Sequence, residues 1–187
     1  MILWPFEDNR FALSLLPANS LISVREGAQE RGDLESTSRL LYVVFRSEEA
    51  RFAPHNANAV WEGGIRLSGY RLTPQSEKEL LVTLYWQATS PITTSYSVFC
   101  HVTCEGVRIG QHDGPPAGGY YPMPLWRVGN LIEDRHLVHL SAPYAEGICQ
   151  ISVGLYQWET LKRLVLLDEA GHPTDFDSFV LSTVNEP

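Results

Sequence analysis

Beyond residue 60 the chain breaks into short runs in which apolar and polar positions alternate with the period of two expected of strands. These runs are 65–72, 80–88, 96–103, 107–111, 132–140, 149–156, 162–167 and 179–184. Eight runs in about 120 residues predict an all-β fold, an antiparallel β-sandwich of jelly-roll or immunoglobulin-like type with about eight or more strands. Segments such as TSPITTS, CEGV, HDGPPAGGYYP and DEAGHPTDFD separate the runs. Their Gly, Pro, Asp and Ser supply turn geometry and leave little room for helices. The short gap between Tyr156 and Lys162 predicts a hairpin that makes the sixth and seventh runs neighbours.

The first 57 residues are less regular. Stretches 11–15, 21–24 and 40–45 are strand-like, whereas REGAQERGDLESTSR is charge-dense and polar, as expected of an exposed loop or linker. Residues 1–57 therefore read as an N-terminal extension that adds one or two strands and a polar loop. Residues 58–187 read as the sandwich domain.

Splitting each run by parity gives two rows. Leu80, Val82, Leu84 and Trp86, then Val98, Cys100 and Val102, then Cys149, Ile151, Val153 and Leu155, form apolar rows suited to a core. The opposite rows hold Tyr85, Gln87, Phe99, His101, Gln150 and Tyr156, with Trp158 just beyond. If those strands are neighbours, the rows make a polar-aromatic platform that suits sugar rings: aromatic faces cover the apolar C–H face of a pyranose, and amides and imidazoles bind its hydroxyls. Alternatively, the N-terminal extension covers these rings, or they lie apart on unpaired strands.

Composition narrows the partners. Fourteen Lys and Arg against 22 Asp and Glu leave a net charge of −8, which repels nucleic acid and anionic membrane surfaces. No apolar run approaches the roughly 20 residues of a membrane span, and MILWPFEDNRF lacks the basic n-region of a signal peptide. The expectation is a soluble chain with no membrane insertion and no address of its own. Cys100 and Cys104, four apart on one strand, stand about 13 Å apart, beyond disulfide reach. Cys149 can pair with one of them only if register allows, so three buried thiols are expected.

The chemical candidates are sparse. His136 and His139 are three apart on a strand and face opposite ways, which argues against a shared metal, whereas Asp134 and His136 share a face. An acid–base reading of a hydrolase or lyase would draw on His101, His112, Asp113 or His136, and requires two of them to converge in a concave pocket. The segment GQHDGPPAGGYYPMPLWRVGN offers His112, Asp113, Tyr120, Tyr121 and Trp126 as contacts of a binding loop. Its structural alternative, a proline-held crossover tucked by Trp126 against the core, is preferred. Asp168, Glu169, Asp175 and Asp177 could hold a structural calcium, but without EF-hand spacing, and no cofactor is expected. No phosphate loop, nucleophile elbow or zinc-protease motif is present.

The ordered motifs GGIRLSGYRL, LLVTLYWQA, YSVFCHV, IGQHDGPPAGGYYPMPLW, RVGNLIEDRHLVHL and GICQISVGLYQWETLKRL resemble a particular region. It is the C-terminal β-sandwich of bacterial membrane-bound glycosyltransferase-like proteins of the dolichyl-phosphate-mannose-mannosyltransferase type. The resemblance spans about 130 of the 187 residues. It implies an accessory module outside the cytoplasm, with catalysis in a membrane portion this chain lacks; without a leader, a cytoplasmic chain is the alternative. The expected function is a non-catalytic module of cell-envelope glycan machinery that binds carbohydrate. A protein–protein interaction or structural domain is the other reading.

Overall fold

Alternation in the sequence becomes two stacked sheets in the computed structural model, which describes residues 2–3, 8–26, 41–46 and 55–181. The larger sheet has eight strands: β1 (Ile2–Leu3), β2 (Leu21–Glu26), β3 (Leu41–Arg46), β4 (His55–Trp61), β5 (Ile65–Ser76), β6 (Glu79–Ala88), β9 (Leu131–His139) and β11 (Leu166–Leu167). Their order across the sheet is β1-β3-β2-β9-β6-β5-β4-β11. The smaller sheet has four: β7 (Ser97–Cys104), β8 (Val107–Gly114), β10 (Cys149–Tyr156) and β12 (Ser178–Leu181), in the order β12-β10-β7-β8. All pairings are antiparallel except β2 with β9. This is the expected all-β sandwich.

The apolar rows meet between the sheets. Leu80, Val82, Leu84 and Trp86 of β6 are fully buried, as are Val98, Cys100 and Val102 of β7 and Ile151, Val153 and Leu155 of β10. Each such side chain contributes roughly 1.5–3 kcal/mol by leaving water. Trp61 and Trp86 pack edge to face at 5.6 Å between ring centroids. Glu105 and Gly106, both at positive φ (50° and 80°), turn the tight β7–β8 hairpin with the twist that two-residue loops prefer.

Several expectations are corrected. Stretch 11–15 is not a strand: Arg10–Ser14 forms a short helix, α1, with Leu13 buried. Run 162–167 does not pair with β10 along its length. After a single bridge between Tyr156 and Arg163 the chain crosses over, and only Leu166–Leu167 forms a strand, paired with Val60 and Trp61 of β4. The stretch before residue 58 supplies β1, β2, β3 and the start of β4, so that position falls inside a strand. Residues 27–40 of the polar loop and the end of the last run, 182–184, lie outside the described residues.

The cysteines are also corrected. Antiparallel register sets Cys104 directly opposite Cys149, and the two form a disulfide between neighbouring strands of the smaller sheet. An immunoglobulin-type bridge would instead join the two sheets. Cys100 alone is a free, buried thiol, and burial pushes its pKa far up.

Candidate functional site

The outward row of β6 is the floor of a groove on the larger sheet. Register sets Tyr85 opposite Glu133 of β9 and Gly69 of β5, and sets Thr83 opposite Arg135 and Arg71. The Tyr85 ring is only 3% exposed. β2 runs beside β9 as far as Ser23 and Glu133. There the crossover from β8 to β9 lays its first 3₁₀ turn, Pro116–Gly119, against both strands.

A polar bridge spans the groove. Glu133, with a side chain 12% exposed, accepts hydrogen bonds from Ser23 Oγ at 3.0 Å and Arg25 Nη2 at 3.1 Å. Arg25 Nε donates in turn to Ser23 Oγ at 3.1 Å. Arg25 and Glu133 border two adjoining cavities. The first, about 490 Å³, is bounded by Gln75, Leu81, Tyr120 and Arg135. The second, about 420 Å³, is bounded by Ser23, Val44, Arg71 and Tyr85.

Among the described residues, Arg25, Arg71, Arg135 and the carboxylate of Glu133 line this groove. Burial raises the Tyr85 pKa, an effect opposed by Arg71 and strengthened by Glu133. The phenol therefore remains a hydrogen-bond donor across the physiological range. Arginine forks, a phenol, an amide and short apolar stretches together suit a polar, ring-shaped ligand.

Inside the sandwich lies a second polar arrangement. Asp134 and His136, both 1% exposed, point into the core from β9. Asp134 Oδ2 accepts from Trp86 Nε1 at 2.9 Å and lies 2.7 Å from His136 Nε2, while Oδ1 accepts from the Ala117 backbone N–H at 2.9 Å. His136 Nδ1 lies 2.8 Å from Nδ1 of His112, on edge strand β8. A neutral imidazole carries one N–H. With His136 donating through Nε2 to the carboxylate, its Nδ1 accepts from His112, and the chain Asp134–His136–His112 leads outward to His112 Nε2. Burial, and then the neighbouring His136, lower the pKa of His112.

The sequence-derived platform does not assemble as one surface, because β6 lies in one sheet and β7 and β10 in the other. Tyr85 and Gln87 face outward from the larger sheet. Phe99, His101, Gln150 and Tyr156 share the outer face of the smaller one. There the Phe99 and His101 rings meet at 4.9 Å, tilted by 35°, and the Arg163 guanidinium covers the Phe99 ring at 4.2 Å while pairing with Asp177. Gly154 is required beneath it: a Cβ there would meet Phe99 Cζ at 2.5 Å and the Asp177 carbonyl at 2.6 Å. Phe99 and Tyr156 are consequently buried, whereas Gln150 and Trp158 remain exposed. His101 Nε2 lies 3.6 Å from Asp113 Oδ1, and its pKa is lowered by burial and by Arg108.

The crossover residues divide by role. Tyr121 and Trp126 are buried and bonded within the segment: the Tyr121 hydroxyl donates to Leu125 O, and Trp126 Nε1 donates to Tyr121 O. Tyr120 instead lines the groove. In the acidic turn, Asp168 Oδ1 accepts from the backbone N–H groups of Ala170 and His172, and Asp177 holds Arg163. Among the described residues no group of His, Cys, Asp and Glu is arranged to hold a metal ion, nor is any helix long and apolar enough to cross a membrane.

Sequence reasoning missed Arg25, Arg71, Glu133 and Arg135. The one available signal was that Glu133 and Arg135 occupy the outward parity of the β9 run. Neither a family model, a curated protein nor a solved structure matches this chain.

Proposed function

We propose that this chain is a non-catalytic β-sandwich module that binds carbohydrate. More particularly, we propose an accessory piece of cell-envelope glycan or glycosyltransferase machinery working outside the cytoplasm. The observation that carries the binding claim is the groove of the larger sheet, where Tyr85, Tyr120, Gln75 and arginine forks surround adjoining cavities. Support for the location comes from the Cys104–Cys149 disulfide, since such bonds persist in oxidising compartments. The accessory role rests on the motif resemblance. Isothermal titration of the purified chain against a glycan panel tests the claim: binding is expected, and weakened in Tyr120→Ala. A flat response across the panel would overturn it.

A second reading, a protein-interaction domain, is favoured by Trp158 and Leu161, exposed at 67% and 70% on one turn. A hydrolase reading gains less support. His112, His136 and Asp134 do converge, and His101 meets Asp113. Yet none of these five lines either groove cavity or the smaller one, about 280 Å³, beside Gln157 and Lys162.

A further inference from the structure

We infer that the groove selects an acidic saccharide, one bearing a carboxylate or a phosphate, and that Arg135 holds the anion. This inference rests on the carbohydrate reading and names its ligand class. Arg25 spends its Nη2 on Glu133, whereas exposed Arg135 has no ion-pair partner among the described residues. Its position on β9 is fixed by the β6 register opposite Thr83, and it borders the same cavity as Gln75 and Tyr120.

A guanidinium presents paired N–H donors that match the two oxygens of a carboxylate or phosphate. The strand register sets Tyr85 directly beside Glu133 and one outward position away from the Arg135–Thr83–Arg71 row. A neutral sugar would leave the Arg135 guanidinium without a counter-charge. An acidic one would neutralise it while its hydroxyls meet Gln75 and the Tyr120 phenol. The same guanidinium disfavours a cationic ligand.

The test is titration calorimetry with matched pairs: a glucose oligosaccharide against its glucuronate-containing counterpart, and glucose against glucose 6-phosphate, with inorganic phosphate alone as a further arm. The acidic member of at least one pair should bind about tenfold more tightly, the range of a charge-assisted hydrogen bond. Whichever pair shows the larger ratio identifies carboxylate or phosphate as the anion. Arg135→Gln should bring that ratio near one, while Trp158→Ala, on a turn away from this sheet face, should preserve the ratio.

Equal binding of neutral and acidic members, or a ratio unaltered in Arg135→Gln, would overturn the inference and leave the carbohydrate reading standing. Inorganic phosphate binding as tightly as the sugar phosphate would also overturn it, since the groove would then read only an anion. No binding in any arm would remove the carbohydrate reading itself.

Discussion

Replacing Asp134 with Ala removes the acceptor of three buried donors at once: the Trp86 indole N–H, the Ala117 backbone N–H and the His136 Nε2–H. Each buried donor left without a partner costs about 1–3 kcal/mol. Relief from burying the carboxylate offsets part of that sum, and breaking comparable buried charged pairs costs about 3–5 kcal/mol. Against a total stability of about 5–15 kcal/mol, and with a urea slope near 2 kcal/mol per molar, the midpoint should fall by about 2 M. Urea denaturation followed by Trp fluorescence under non-reducing conditions measures this. Asp168→Ala is the matched control: it also removes the acceptor of two backbone donors, those of Ala170 and His172, but in an exposed turn where water replaces it. Its midpoint should shift by less than about 0.5 M. Equal shifts for the two variants would refute the reasoning, because burial would then not decide the cost.

Reduction of the Cys104–Cys149 bond reopens a loop with a sequence separation of 45, which in the chain-entropy account costs about 4 kcal/mol; a Cys104→Ser/Cys149→Ser variant should show that loss in the same assay, and a loss under about 1 kcal/mol would count against the bond. Stability should also fall on mild acidification. His112 and His101 have folded pKa values below the unfolded value of about 6.5, so on acidification the unfolded chain takes up these protons first. Their contribution is complete above about pH 6.5 and is lost as pH falls through the lower folded values. Urea midpoints between pH 7.5 and 5.5 should decline, less steeply in His101→Gln/His112→Gln, and a flat or rising profile would contradict the assignment.

What the sequence disclosed was what depends on local period. Parity alone separates Leu80, Val82, Leu84 and Trp86 from Leu81, Thr83, Tyr85 and Gln87, and the first row is fully buried between the sheets, although Thr83 and Tyr85 of the second are covered as well. Which strands are neighbours is a long-range property that local parity does not encode. Tyr85 and Phe99 have the same outward parity but stand on opposite sides of the sandwich. The Cys104–Cys149 bond depends on the β7–β10 register, which no local pattern encodes. Phe99 resembles an exposed sugar platform until Arg163, from a distant turn, is found lying over it. The groove was invisible for the same reason: Arg25, Arg71 and Arg135 come from three strands that only the sheet order brings together.

The buried carboxylate and the groove are physically linked through one residue. Ala117 adopts φ 52°, a left-handed conformation that costs a side-chain-bearing residue about 1 kcal/mol or more. Its N–H is held by Asp134 Oδ1 from inside the sandwich, while Ala117, Gly118 and Tyr120 line the groove from outside. The hydrogen bond thus offsets local strain and fixes the start of the segment that carries Tyr120. Cutting that bond acts on the groove wall as well as on the core. A change at Asp134 should therefore weaken ligand binding in protein that is still folded, whereas a core change remote from Ala117, such as Ile151→Val on β10, should lower stability and leave binding intact. The polar interior of this sandwich is, on that argument, the support of the groove on its larger sheet.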